Sequence, residues 1–234
     1  DMLAYILITA KEPATLAGTM FLVHDSINQV ATPRKGWIYN AGQRRVRRAP
    51  ELGYDFSPDG TDALRCADQY DGWVGATDRY DWKIVGKKEV YIPYNSYDMA
   101  DKSLSYDQIL KPGHLNPEYS RYELHRVWVV EANLKDGERH IFGKRTYYID
   151  EDTWSVSVAD NYDTRGDLWR VEETHLMNFY DSALTWTVGS VQYDLNSGAY
   201  IHFYALNEVK EAIKFGIEGD AKQLQPRQLK RRGF

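Results

Sequence analysis

Between Tyr122 and Leu176 apolar and polar residues alternate through four consecutive runs. Alternation with period two marks strands that bury one face, so this stretch predicts a meander of four antiparallel strands joined by three tight turns. The first turn, Lys135-Asp136-Gly137-Glu138, carries Asp-Gly, the pair favoured where both central residues need φ > 0. With Lys135 opposite Glu138, Ala132 falls across from Ile141, Val130 from Gly143, Trp128 from Arg145 and Arg126 from Tyr147. Looping out Asp150 to Thr153 sets Tyr147 against Val156 and Arg145 against Val158, and looping out Asp163 to Gly166 sets Asp160 against Trp169. On that register Arg126, Trp128, Arg145, Tyr147 and Asp160 share the apolar face.

Elsewhere the pattern is less regular. Leu3 to Ala10 and Thr19 to Val23 are apolar on both parities, which predicts strands covered on both faces. Trp37 to Tyr39 and Arg44 to Arg48 flank Asn40-Ala41-Gly42-Gln43 as a hairpin. Residues 50–120 turn rich in Asp, Tyr, Gly and Pro with weak periodicity, and a stretch of that length holds elements of its own. A helix near Thr61 to Gln69, a strand from Lys83 to Ile92 and a helical turn near Tyr106 to Leu110 are expected there, the whole serving as a loop-rich cover over one mouth of the sheet. Tyr200 to Leu206 reads as a further strand, Asn207 to Phe215 as a helix, and the basic tail from Pro226 as too short to fold alone. The expected fold is therefore mainly β: one domain over residues 1–234 with a few short helices.

Composition narrows the function classes. Of 234 residues, 43% are hydrophobic and 27% charged, which places the chain among folded globular proteins. Seven Trp and 18 Tyr favour strands and half-wet surfaces with apolar walls. A formal net charge of −5 and the lack of a phosphate-cradling glycine loop argue against a nucleic-acid partner. The single cysteine, Cys66, excludes an internal disulfide and any multi-cysteine metal cluster. The histidines show no metal-ligand spacing: His125 and His140 fall on neighbouring strands, but no second pair joins them. No serine nucleophile elbow is present, Cys66 has no flanking histidine, and Glu172 and Glu173 point to opposite faces. The expectation is a chain with no catalytic residues, no metal and no cofactor. No apolar run reaches the roughly 18 to 20 residues that cross a bilayer. The chain starts at Asp1 and is strand-like by Ala4, so it is expected to be the later part of a longer protein whose export signal lies upstream.

The charges on the apolar face carry the candidate chemistry. An unpaired buried guanidinium is costly, so the favoured structural reading closes Arg145 on Asp160 and stacks it on Trp128. Arg126 has no acidic neighbour on this register and is the candidate for an anionic head group. Ligand binding is thus expected at Arg126, Trp128, Arg145, Tyr147 and Asp160. Arg44, Arg45, Arg47 and Arg48 read first as an edge strand guarded by charge, and second as a patch for acidic lipid head groups or an acidic protein surface.

Several long segments also carry a resemblance: Gly36 to Pro50, Arg79 to Glu89, Tyr91 to Asn95, Arg121 to Glu131 and Tyr148 to Trp154. In order along the chain they resemble an uncharacterised proteobacterial family of outer-membrane lipoprotein-sorting proteins, a domain of unknown function similar to the LolA/LolB lipoprotein carriers. The resemblance implies an open, curved antiparallel half-barrel with helices over its concave side, and a noncatalytic periplasmic carrier of lipidated or hydrophobic cargo. It further implies that members are longer at the N-terminus and that this chain corresponds to the C-terminal part. Lipoprotein carriers of that kind place an arginine inside the apolar concavity, a position open by analogy to Arg126 or Arg145. An accessory interaction subunit of an envelope transport system is the second reading, and a hydrolase of hydrophobic substrates the third.

Overall fold

The computed structural model describes residues 1–49, 52–58, 60–211 and 213–232. Expected above as one domain, the chain divides into two compact units: Asp1–Phe56 with Gly75–Thr77 and Ile217–Phe234, and Ser57–Val74 with Asp78–Gly216.

In the first unit β1 (Met2–Thr9), β2 (Met20–Ser26), β3 (Lys35–Asn40) and β4 (Arg45–Arg48) pair antiparallel in chain order. The expected β3–β4 hairpin is present, with Tyr39 opposite Val46. Met20, Leu22 and Tyr39 form a core on one face, and Leu229 of the short helix α2 (Pro226–Arg232) completes it. The tail folds against the sheet rather than alone, because one leucine in it is taken up by the core. β1, expected to be covered on both faces, is an edge strand whose Leu3 and Ile8 are exposed. Its doubly apolar pattern does not correspond to double burial.

The second unit is an open seven-stranded antiparallel sheet. Its order runs β13 (Tyr200–Phe203), β12 (Leu184–Asp194), β11 (Leu168–Phe179), β10 (Val156–Tyr162), β9 (Lys144–Asp150), β8 (Tyr122–Leu134) and β5 (Tyr80–Pro93). A two-residue pair, β6 (Leu110–Lys111) and β7 (His114–Leu115), lies outside it. The four-stranded meander is β8 to β11.

Its registers need two corrections. The Lys135–Glu138 turn forms, with Glu138 N donating to Lys135 O at 3.1 Å. Beyond it His140 and Phe142 turn inward to burial and carry the chain out of the ladder, so Ala132 rather than Trp128 faces Arg145. That slip is four residues, an even number, and Trp128 and Arg145 stay on the same face. Between β9 and β10 a bulge separates Val156, opposite Ile149, from Val158, opposite Tyr148. One extra residue reverses the parity. Asn161 therefore faces Arg145, and Asp160 moves to the other face, where it accepts a 3.0 Å bond from the Tyr148 hydroxyl.

The loop-rich region splits around β5, which is longer than expected. Upstream, a 3-10 segment at Ala67–Gly72 replaces the helix expected at Thr61 to Gln69 and packs on β10, β11 and β12. Downstream, Met99, Ile109 of α1 (Tyr106–Ile109) and Leu115 pack with Val191 of β12. Val191 alternates with Gln192, so these two covers lie on opposite faces of the sheet. No helix forms over Asn207 to Phe215 among the described residues there.

Candidate functional site

The face of the sheet that carries Arg145 has two contrasting halves. On β8 its residues are Leu124, Arg126, Trp128, Val130 and Ala132, set opposite Tyr91, Glu89, Lys87, Ile84 and Trp82 of β5. Ile84 and Tyr91 are each 67% exposed and Leu124 is 55% exposed, while Trp82, Trp128 and Val130 are half-buried. β5 is the last strand of the sheet, so among the described residues no further strand pairs with its outer edge. A bulge at Gly86 with φ 145 lets the pairing shift between Ile84 and Lys87 without changing the face. The open half is thus an apolar and aromatic surface bordered by Lys87 and Arg126. Both cations bind Glu151, Lys87 Nζ at 2.5 Å and Arg126 Nε at 2.6 Å, and Lys87 Nζ also lies 4.5 Å from the Trp128 ring centre. Arg126, expected to lack an acidic neighbour, has two, because Glu89 stands opposite it on β5 and Glu151 of the β9–β10 turn folds back beside it; its side chain remains 61% exposed.

On β9 to β12 the same face is closed and polar. Cross-strand rows run Arg145, Asn161, Arg170, Asp194 and then Tyr147, Ala159, Glu172, Gln192. Residues 65–73 lie over them. Arg145 Nη1 reaches Asp68 Oδ2 at 2.7 Å, Arg145 Nε donates to Asn161 Oδ1 at 2.8 Å, and His140 Nε2 lies 3.1 Å from the same Asp68 oxygen. The expected Arg145–Asp160 pair is therefore replaced by Arg145–Asp68, a partner from the cover. Nor does Arg145 stack on Trp128: its guanidinium lies 4.9 Å from the Trp73 ring centre and 5.3 Å from that of Tyr147. Gln69 Nε2 and Gln192 Nε2 donate to the two oxygens of Glu172 at 3.2 and 2.9 Å.

The electrostatics follow from this burial. Burial alone would raise the Asp68 carboxyl, but Arg145 and His140 outweigh it and hold Asp68 below the usual range. Arg145 is driven the other way from its own burial by Asp68 and is firmly protonated. Burial pushes Glu172 up to about 7 against the pull of Arg145 and Arg65. Gly72, at φ 80, allows the cover to approach: a Cβ added there would fall 2.5 Å from Cβ of Val156.

Three rings separate the halves. Trp73 of the cover meets Trp82 edge-on at 5.1 Å, and Trp82 stacks on Tyr147 at 5.8 Å. Of the residues singled out from the sequence, Trp128 and Arg126 stand in the open half, Tyr147 at the border and Arg145 in the closed half, while Asp160 is on the other face. Arg45, Arg47 and Arg48 are exposed on β4, with Arg44 in the turn before it. Sequence reasoning missed Asp68, Gln69 and Glu172, and the strand β12 that supplies Gln192. The alternating run Leu184-Thr-Trp-Thr-Val was the available signal for β12.

Metal-binding and catalytic geometry are weaker. Among the described residues one set of three, His125, Asp150 and Asp152, lies close enough to share an ion. Asp150 is already engaged by His125 Nδ1 at 2.9 Å and by the backbone N–H and hydroxyl of Thr153 at 3.1 and 2.7 Å, as the fastening of the β9–β10 turn. A cleft of about 520 Å³ is lined by His114, Tyr122, Glu173 and Tyr193, where the Tyr122 hydroxyl donates to Glu173 at 2.9 Å.

The chain is 49% identical over 233 residues to Uncharacterized protein PA3922 of Pseudomonas aeruginosa, a match that takes in all of this chain and 51% of that protein. It therefore spans about half the length of the curated relative it matches. Its structure is similar to that of a putative outer membrane lipoprotein-sorting protein domain from Vibrio parahaemolyticus, with TM-score 0.59 and 14% identity over 97% of this chain and 77% of that one. It is also similar to a DUF1329 family protein from Desulfovibrio piger, with TM-score 0.54 and 17% identity over 84% and 66% of the two chains. At such identities the likeness is one of fold, an open antiparallel sheet with few helices. Residues 1–230 match the model of the family described as protein of unknown function, DUF1329, and the chain belongs to that family.

Proposed function

We propose that this chain is a noncatalytic carrier or binding module for lipidated or otherwise hydrophobic cargo, acting in the periplasm, with the open half of the Arg145 face as its cargo surface. The observation that carries this reading is the placement of Ile84, Tyr91 and Leu124 in solvent beside Trp82, Trp128 and Val130 on one continuous face. Apolar groups gathered in this way mark interaction surfaces. Each methylene of an acyl chain laid on them gains about 0.8 kcal/mol on full burial. Lys87 and Arg126 at the border, which share the carboxylate of Glu151, offer N–H donors to the polar end of an amphiphile. The fold shared with a protein named for lipoprotein sorting supports the reading at the level of architecture.

Displacement of a fluorescent long-chain acyl probe tests it. Ile84→Glu combined with Leu124→Glu is expected to abolish probe binding while leaving the fold intact. Unchanged binding by the double variant would refute the surface named here. The filled polar half favours a second reading, an accessory subunit that docks a protein partner, since residues 65–73 occupy the ground a deeper cargo would need. Failure of the wild-type chain to bind any acyl probe would move the balance to that reading.

A further inference from the structure

We propose that the rim around β4 and α2 docks the protein on anionic phospholipid head groups. The sequence places two basic runs far apart, Arg44 to Arg48 and Arg227 to Arg232, and the fold of the first unit brings them together. α2 packs against β2, β3 and β4, held by Leu229, which is 1% exposed among Met20, Leu22 and Tyr39. That anchorage leaves Arg227, Lys230, Arg231 and Arg232 exposed. Arg45, Arg47 and Arg48 are exposed on β4, an edge strand of this sheet, with Arg48 on the face that α2 covers and Arg45 and Arg47 on the other. Among the described residues none of these seven cations forms an ion pair, and Arg47 bonds only the Gln43 amide oxygen, at 3.0 Å.

The chemistry of the partner follows from what the rim offers. The chain as a whole has a net charge of −5, so this positive charge is local. The apolar residues between the cations, Val46 and Leu229, pack into the core, so it is the charged side chains that meet solvent. Such a surface suits an array of phosphates in which the number of contacts matters more than their registry. Guanidinium groups pair with phosphate oxygens through two parallel bonds. The choice of a lipid surface over another polyanion rests on the carrier reading above, because a carrier of hydrophobic cargo must meet a membrane to load or deliver it.

Co-sedimentation of the full chain with phosphatidylcholine vesicles, with and without phosphatidylglycerol, tests the proposal. Binding is expected to the mixed vesicles alone and to fall steeply with salt. Arg45→Gln with Arg47→Gln and Arg48→Gln, and separately Arg227→Gln with Lys230→Gln and Arg231→Gln, should each weaken it on the order of tenfold to a hundredfold. The matching Arg→Lys variant of β4 should retain most of the binding, which separates lost charge from lost structure. Acyl-probe binding by the Gln variants should stay at the wild-type level, so failure of the rim and failure of the cargo surface give different results. Equal binding to both vesicle types, full retention by both Gln variants, or preference for duplex DNA over mixed vesicles would overturn the proposal.

Discussion

On one face of the seven-stranded sheet, β9 to β12 bury Arg145, Asn161 and Glu172 beneath residues 65–73, whereas β5 and β8 leave Ile84, Tyr91 and Leu124 in water. A row of rings, Trp73, Trp82 and Tyr147, divides the two. The usual partition is inverted, with polar groups enclosed and apolar groups exposed. The buried polar half is held by its charge-assisted bonds, Arg145 to Asp68 and Asn161 and Glu172 to Gln69 and Gln192, while Arg145 Nη2, Asp68 Oδ1 and Asn161 Nδ2 find no partner among the described residues, and removing one partner of such a pair is costly. The open half makes no comparable demand on the fold, and that frees its residues for binding.

The contrast breaks most sharply at Arg145. Arg145→Met leaves Asp68 buried without its cation and is expected to destabilise by about 3–5 kcal/mol in urea unfolding. Arg126→Met, in the open half, should leave the unfolding midpoint unmoved, because the Arg126 side chain is largely exposed and its partner Glu151 remains bound to Lys87. Similar losses for the two variants would remove the distinction between halves.

Glu172 sharpens it through pH. Its folded-state pKa is raised to about 7 by burial, so the native state holds a proton that the unfolded chain releases at lower pH. Stability from this group is therefore full below the unfolded value and is lost as pH rises through the folded one, by about 1–3 kcal/mol. Glu172→Gln should remove that loss, read as the difference between variant and wild type from about pH 5 to about pH 8. His175 and His202, lowered by burial to about 3 and about 4, act in the opposite sense and withdraw stability as pH falls below the unfolded histidine range. They are common to both proteins and cancel in the difference.

A smaller effect is expected at the cover itself. Gly72→Ala adds a Cβ against Val156 at a backbone angle that disfavours side chains, at a cost of about 1–2 kcal/mol. Amide exchange over residues 66–72 should quicken in that variant. Smallest of all, Ile84→Glu should change stability by less than about 0.5 kcal/mol while weakening acyl-probe binding. A large loss of stability there would mean that the open half belongs to the core.

Much of this was legible from alternation. The four meander strands, the Lys135–Glu138 turn and the shared face of Trp128 and Arg145 follow from local pattern, and the slip of four residues left that face intact because four is even. Asp160 was misplaced because a single extra residue between Val156 and Val158 reverses every side chain beyond it, and no composition signal marks that residue. β12 went unread where Gly189 and Ser190 interrupt its alternation. That glycine is needed because a Cβ would fall 2.8 Å from Nε2 of His202, a residue on the neighbouring strand.

The sequence by itself determined an antiparallel β protein, since strand formation and facing depend on neighbours within a few positions along the chain, while the openness of the sheet was implied by the family resemblance. Tertiary structure alone decided who meets whom. Asp68 reaches Arg145 across 77 positions and Glu151 reaches Arg126 across 25. The tail cations join those of β4 only because Leu229 finds a place in the core. A buried charge requires a partner, and that requirement is readable from residue types; which segment supplies the partner depends on how the whole chain packs.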